Sequence, residues 1–245
     1  GEEWRPAGEL LVTDFQVYVP DLLGWGRSDK PRLTYDGELY IQLIGDFLED
    51  VVGRRCTLVA AGLAAAYAVQ VAVDRPELVD SVALAVPSGI EVHSDEPDLK
   101  DALVNRFLRF PILGTSALNL LTSRTAMSQY LRREVFLGPE QVDAARVEHH
   151  YRSSHQPGSH EALAAYLSGY LNHPVHEALG RLQQPLWIGW GRDATAPPLE
   201  IADHWLQRDP DARLEVFADS ANLPHLEAAT EFTRRLEPYL AAPAV

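Results

Sequence analysis

Short apolar runs alternate with longer amphipathic stretches along most of this chain. The short runs predict strands at 15–19, 56–60, 79–86, 186–190 and 214–217, because each is apolar and bounded by charged or turn-forming residues. Residues 64–73 are rich in alanine and predict a buried helix, and residues 227–240 have the amphipathic pattern of a closing helix. This alternation predicts an α/β fold with a mostly parallel central sheet and flanking helices.

A long segment interrupts the alternation between the apolar runs at 79–86 and 186–190. Residues 98–182 contain only helical patterns, which lie at 101–110, 116–121, 127–136, 139–153 and 160–171. An all-helical insertion in an α/β chain is expected to form a cap over one end of the sheet. We therefore expect a core formed by residues 1–97 and 183–245 and a helical cap formed by residues 98–182.

Composition narrows the class of protein. The chain has 245 residues, of which 46% are apolar, and a single cysteine, Cys56, which excludes an internal disulfide. Its formal net charge of −14 argues against binding nucleic acid or an anionic membrane through a general basic field. No apolar run approaches the roughly 20 residues that span a bilayer. We expect a cytoplasmic protein with no membrane insertion and no cofactor, and the sequence does not indicate its oligomeric state.

Four motifs then stand in an order that one enzyme family shares. They are Asp-Leu-Leu-Gly-Trp-Gly-Arg-Ser-Asp-Lys-Pro at 21–31, Asp-Arg-Pro-Glu-Leu-Val at 74–79, Trp-Gly-Arg at 190–192 and Leu-Pro-His-Leu-Glu at 223–227. With them the chain resembles the α/β-hydrolase-fold superfamily, in its capped, esterase-like branch, from about Trp4 to Leu240. The resemblance implies an α/β-hydrolase fold with a helical cap after the sixth strand of the family.

The resemblance also implies a Ser–Asp/Glu–His triad, but other residues occupy all three positions. The nucleophile belongs at the centre of G-x-S-x-G on a sharp strand-to-helix turn, and the matching residue is Gly62. The position of the acid is Ala194, and that of the histidine is Asn222. Serine hydrolysis needs an oxygen nucleophile and a titratable base, and these three side chains supply neither.

Displaced residues offer an alternative source of chemistry. Asp193 lies one position before Ala194, and Asp219 lies shortly before Asn222. His225 is close to the lost histidine and is a candidate acid–base partner for either aspartate. The competing interpretation of His225 is structural, as a residue that helps to start the last helix.

The family has a further element that this sequence does not match. A strand and a His-Gly oxyanion loop precede the helix that residues 2–11 resemble, and that strand lies between the runs at 15–19 and 56–60. Because a parallel sheet pairs every central strand, we expect the natural protein to carry an N-terminal segment of roughly 40–60 residues that supplies it. The alternative is that the two flanking runs pair directly.

Other residues complete the candidate site. Ligands bind at the carboxyl ends of strands in open α/β sheets, which selects Gly62, Leu63, Trp25, Ser88 and Asn222 as candidate ligand contacts. The histidines at 149, 150, 155 and 160 do not share one helix face, since two are adjacent and Pro157-Gly158 separates the others. We therefore expect no metal site.

Three hypotheses of function follow. The first is a protein that binds a small apolar ligand under the cap without acyl-enzyme chemistry. The second is an esterase-like hydrolase that uses displaced residues such as His225 with Asp193 or Asp219. The third is a non-catalytic interaction or scaffold protein with a filled pocket. Whether the protein is an enzyme is left open by the sequence.

Overall fold

A four-stranded parallel sheet forms the centre of the protein. The computed structural model describes residues 1–241. The strands are β1 (Cys56–Ala61), β2 (Val79–Ala85), β3 (Leu186–Gly191) and β4 (Arg213–Phe217), and they lie side by side in chain order. All neighbouring pairs are parallel. The predicted α/β class and the strands at 56–60, 79–86, 186–190 and 214–217 are confirmed.

The predicted strand at 15–19 is wrong. These residues run as irregular chain, and within residues 1–241 β1 has β2 as its single sheet neighbour. A strand exists through its backbone hydrogen bonds to a neighbour, and this segment has no such partner. Its Phe15 and Val17 still pack against the sheet beside Val59 and Ala61. Direct pairing of the two flanking runs, the alternative raised above, is therefore also wrong.

Helices cover both faces of the sheet. Their bounds are α1 (Arg5–Leu11), α2 (Gly37–Phe47), α3 (Leu63–Asp74), α4 (Leu99–Leu108), α5 (Leu113–Leu121), α6 (Arg124–Tyr130), α7 (Ala144–Ser154), α8 (Ser159–Leu167), α9 (His176–Arg181), α10 (Ala202–Arg208), α11 (Pro224–Glu227) and α12 (Ala229–Leu240). The closing helix predicted at 227–240 is thus broken at Ala228. Within residues 1–241, no helix is long and apolar enough to cross a membrane.

Alternating strand residues divide the core into two layers. Val82, Leu84 and Ile188 pack on one face with α2, α3, α9 and α10. Ala83 and Trp187 point to the other face, where they meet α1 and α12. The central strands β2 and β3 are almost wholly apolar because both faces are covered.

The helices α4 to α9 follow one another between β2 and β3, so residues 98–182 form a helical insertion as predicted from their pattern. The division into core and cap at those boundaries stays a prediction. The strand register aligns Ala61 with Ala85 and Ala85 with Gly189. The turns that follow β1, β2 and β3 therefore share one edge of the sheet, where the candidate site lies.

Candidate ligand site

Gly62 forms the sharp turn between β1 and α3. Its backbone angles, φ 54° and ψ −126°, lie in a region that L side chains rarely adopt. Its N–H donates to the Ala85 carbonyl at 3.1 Å, and its carbonyl accepts from Ser88 N–H at 3.0 Å. A Cβ added at Gly62 would meet nothing within 4 Å. The elbow is therefore built and held, and it opens onto unfilled space.

The amino terminus of α3 points to this space. Leu63 is the first residue of α3, and no side chain caps the helix. The first N–H groups of a helix lack internal partners and carry the positive end of the helix dipole. The turn thus presents hydrogen-bond donors beside Gly62 although it presents no nucleophile.

Ser88 lies on the neighbouring turn, after β2. Its side chain is buried, and its backbone N–H donates to the Gly62 carbonyl. Three residues other than glycine adopt positive φ within this loop, namely Val86, Glu91 and His93. Such strain persists where surrounding structure enforces it, and it is common at functional sites. The loop brings Ser88 next to Gly62, and the role of both residues as ligand contacts stays a prediction.

Asn222 joins two loops rather than facing an empty position. Its Oδ1 accepts from the N–H groups of Thr195 at 2.9 Å and Ala196 at 3.1 Å, directly after buried Ala194. Its Nδ2 donates to the Glu134 carbonyl in the helical insertion. The loops at Ala194 and Asn222 do meet, and the amide fastens them to each other and to the insertion.

Glu227 holds the loop that carries Asn222. One carboxylate oxygen accepts from Ala221 N–H at 3.1 Å and Leu223 N–H at 3.0 Å. The other accepts from Leu137 N–H at 2.9 Å in the insertion. Glu227 stands in a family motif, but its role could not be predicted from the sequence, because one of its hydrogen-bond partners lies 90 residues away.

The structure gives His225 no acid–base partner. The ring is fully buried, stacks on Trp4 at 4.0 Å, and neither nitrogen has a hydrogen-bond partner among residues 1–241. Burial lowers its pKa to about 3. Asp193 and Asp219 are both exposed to solvent. The three candidates for displaced chemistry are therefore not brought together by their side chains.

Aromatic residues meet between the glycine-rich loop at 21–31 and α8. Trp25 stands edge-on to Tyr166 at 6.3 Å, and its indole N–H donates to Tyr40 Oη at 2.7 Å. His93 lies 6.2 Å from Tyr166, and burial lowers its pKa. Trp25 and Tyr166 pack in the same apolar cluster as Leu63. Trp25 was predicted to contact a ligand, and that role stays a prediction. Nothing in the sequence distinguished Tyr166 from an ordinary core residue.

Charged groups of the insertion act on Glu3 near the start of the chain. Desolvation raises the pKa of Glu3, against the opposing charges of the amino terminus, Arg146 and His149. Burial likewise raises the pKa of Tyr130, with Tyr166 and Glu3 contributing, and lowers that of His150 to about 4.

Arg146 is a half-buried cation on α7. Its guanidinium lies 4.6 Å over the Phe136 ring, and its buried Nε has no partner among the described residues. No three histidine, cysteine or acidic side chains within residues 1–241 are arranged to hold a metal ion. The sequence did not indicate that the charges of Glu3 and Arg146 interact, since 143 positions separate them and no motif contains either.

Two surface depressions lie elsewhere and involve none of these residues. One, of about 330 Å³, is lined by charged and apolar residues of α2 and α3 that include Glu38, Asp74 and Arg75. The other, of about 400 Å³, lies between Pro76 and the segment that follows α9. Neither combines donors, strain and unfilled space as the turn at Gly62 does.

Removal of the Asn222 amide tests whether its hydrogen bonds hold the loops at Ala194 and Asn222 together. Asn222→Ala is expected to lower the free energy of unfolding by about 1–2 kcal/mol, because two N–H groups lose their acceptor while water reaches part of the site. Asn222→Asp keeps the acceptor for Thr195 and Ala196 but loses the Nδ2 donor to the Glu134 carbonyl, so we expect it to be destabilised as well. Urea unfolding at neutral pH measures both variants, and an Asn222→Ala variant as stable as the natural sequence would show that the amide does not hold these loops together.

Comparison with known proteins identifies the relatives of this chain. A family model described as "Alpha/beta hydrolase family" matches residues 1–235. An uncharacterised protein of Mycobacterium tuberculosis is 34% identical over 119 residues, which are 48% of this chain and 32% of that protein. The chain thus spans about a third of the length of the curated relatives that match it first. The 2-hydroxymuconate semialdehyde hydrolase of a Pseudomonas species is 24% identical, with 97% and 81% covered.

Solved structures show the same fold. A serine hydrolase involved in carbazole degradation superimposes with a TM-score of 0.77 at 18% identity, covering 98% of this chain and 84% of that one. An esterase from Thermogutta terrifontis gives a TM-score of 0.75 at 16% identity, covering 97% and 84%. At these identities the likeness establishes architecture and leaves substrate and mechanism to the residues of the site.

Proposed function

This chain belongs to the alpha/beta hydrolase family, and on that premise we propose that it binds a small apolar ligand beneath its helical cap without forming an acyl-enzyme. The observation that carries the proposal is Gly62. It occupies the strand-to-helix turn at which the family's resemblance places the nucleophile, and it has no side-chain atom. A covalent intermediate needs a nucleophile activated by a neighbouring base.

The space in front of Gly62 favours a ligand over a filled scaffold. A Cβ added at Gly62 would meet nothing within 4 Å, whereas a filled pocket would place side-chain atoms there. Trp25 and Tyr166 offer an apolar wall, and the amino terminus of α3 offers donors to a ligand oxygen. Pockets that are mostly apolar with a few fixed polar groups are typical of small-molecule sites.

The surroundings of His225 argue against the displaced-residue hydrolase. A general base must lie within hydrogen-bond reach of the proton it removes, directly or through one water. The ring of His225 is fully buried against Trp4, and its depressed pKa keeps it neutral. Hydrolase activity in the relatives therefore does not transfer to this chain through His225.

A thermal-shift experiment with p-nitrophenyl butyrate, a small apolar ester, tests the proposal. A ligand at concentration L that binds only the folded state stabilises it by RT ln(1 + L/Kd), so Tm rises with the logarithm of ligand concentration above Kd. We expect such a rise in Tm for the natural sequence, with no release of p-nitrophenolate above the protein-free rate. Gly62→Leu is expected to abolish the rise, because its side chain fills the space that the ligand occupies.

Gly53→Leu is the matched control. Gly53 also has positive φ and open space around an added Cβ, but it lies at the end of the helical turn after α2. Each variant is compared with its own ligand-free Tm, so backbone strain cancels. An equal rise in Gly62→Leu would place the ligand elsewhere, and turnover that disappears in His225→Ala would establish the displaced-residue hydrolase instead.

A further inference from the structure

The insertion exposes an unusual amount of apolar surface on α4, α5 and the turn between them, here called the hairpin (residues 99–121). Nine of the seventeen large apolar residues exposed in the described chain belong to it. They are Leu99, Leu103, Val104, Phe107, Phe110, Ile112, Leu113, Leu120 and Leu121. Isolated exposed apolar residues are ordinary, whereas a contiguous set marks a surface that something covers.

Helix α4 is turned with its apolar side outward. Leu99, Leu103 and Phe107 recur every four residues and are 78%, 61% and 52% exposed. Its inner side carries Asn105, which is buried and donates to Ser168 Oγ at 2.9 Å. An ordinary surface helix has the reverse arrangement. The buried polar contact fixes the helix in the orientation that presents its apolar stripe to the outside.

The tip of the hairpin is strained. Ile112 has φ 69° and ψ −65°, and Leu113 N–H donates back to the Pro111 carbonyl at 2.9 Å. This is a three-residue γ-turn of the rare, strained type, and it is centred on a β-branched residue. Ile112 is 77% exposed. The turn holds an apolar side chain at the most projecting point of the hairpin at a cost in local energy, as functional sites commonly do.

Charge indicates what covers this surface. The chain carries a net charge of −14, yet residues 102–133 contain five arginines and no aspartate or glutamate. Arg109 and Arg124 are paired with glutamates outside this segment. The other three, Arg106, Arg132 and Arg133, have no ion pair within residues 1–241. Arg106 is exposed and lies on α4 beside Phe107. Charges act over about 10 Å at physiological salt, so the local sign governs what approaches the hairpin. Two copies of this chain would meet through it with like charges, which disfavours a dimer on this face.

We infer that the hairpin docks on an anionic lipid surface, with Phe110, Ile112 and Leu113 inserted at the tip and arginines at the headgroup level. Amphipathic helices with apolar anchors and basic residues bind at the interface of a bilayer without crossing it. The global acidity of the chain excludes a general basic field but not this local one. The insertion that covers the candidate ligand site would then face the membrane.

Co-sedimentation with vesicles tests the inference. The probes are phosphatidylcholine vesicles with and without phosphatidylserine. We expect the protein to sediment with the phosphatidylserine vesicles, and less so as salt is raised. Arg106→Glu is expected to weaken binding at least about fivefold. Phe110→Ser combined with Leu113→Ser is expected to weaken it by more than about tenfold, because two apolar anchors are lost.

Ile112→Gly separates this role from a structural one. Glycine accepts positive φ without strain, so Tm is expected to equal or exceed that of the natural sequence while vesicle binding falls. Val51→Ser is the matched control, since Val51 is 55% exposed and lies outside the hairpin. Failure of the natural sequence to sediment, unchanged binding of the tip variants, or a dimer that the tip variants dissociate would each overturn the inference.

Discussion

Glu161→Ala is expected to lower the free energy of unfolding by about 3 kcal/mol. The Glu161 carboxylate is 1% exposed and accepts from Arg109 Nε at 2.5 Å and Arg32 Nε at 3.1 Å. Removal of one partner from a buried ion pair costs about 3–5 kcal/mol, since the other charge is left unpaired. Arg109 is one-third exposed and Arg32 largely exposed, so solvent places the loss at the lower end.

The position of Glu161 gives this pair its importance. It lies on α8 in the insertion, and Arg32 belongs to the loop that follows the glycine-rich 21–31 motif. Arg109 also donates to the Leu33 carbonyl at 3.5 Å. The pair therefore ties the insertion to the core beside the candidate site.

Asp80→Ala provides the control for Glu161→Ala. Asp80 pairs with Arg55 at 3.0 Å at a site where both side chains are partly exposed. Exposed pairs contribute about 0–1 kcal/mol. Urea unfolding of both variants measures the contrast, and equal losses would contradict the buried role of Glu161.

Acid is expected to destabilise the protein through His225. The folded pKa of about 3 lies below the unfolded value near 6.5, so the unfolded state binds the extra proton between these limits. The contribution of His225 is fully present above pH 6.5 and falls by about 1.4 kcal/mol for each pH unit below it. By pH 5 this amounts to about 2 kcal/mol.

His225→Phe isolates that effect. Phenylalanine keeps the stacking on Trp4 and removes two buried nitrogens that lack hydrogen-bond partners. We expect the variant to be more stable than the natural sequence at pH 5 by about 2 kcal/mol more than at pH 7. Urea unfolding at the two pH values measures this, and an advantage that does not change with pH would refute the buried, neutral state of His225.

The sequence predicted the four strands of the sheet correctly, because each strand has a pattern that is visible in its own residues. The apolar runs of β1 to β4 are short and bounded by charged or turn-forming residues. The run at 15–19 has the same composition but no neighbour to pair with, and pairing is not a property of the run itself. The outward orientation of α4 could not be predicted from the sequence for a similar reason. It is fixed by the hydrogen bond between Asn105 and Ser168, which lie 63 residues apart.

The residues of the candidate site likewise include some that the sequence predicts and others that only the fold brings together. Gly62, Ser88 and Asn222 follow strands or stand in family motifs, so their shared edge of the sheet was predictable. Arg146 acts on the charge of Glu3 from 143 residues away, and Glu161 meets Arg32 from 129 residues away. His225 shows the limit of a motif, since its position next to Asn222 suggested a catalytic role that its burial does not support.

The absence of acyl-enzyme chemistry is the central claim, and the intact mass of the protein after treatment with a fluorophosphonate probe tests it most directly. These reagents label an activated serine by forming one covalent bond to its oxygen. With Gly62 at the elbow and no paired base, we expect the mass of the untreated protein. A stoichiometric adduct would contradict the account, and peptide mapping of the labelled residue, with Ser88 the first to inspect, would identify the nucleophile.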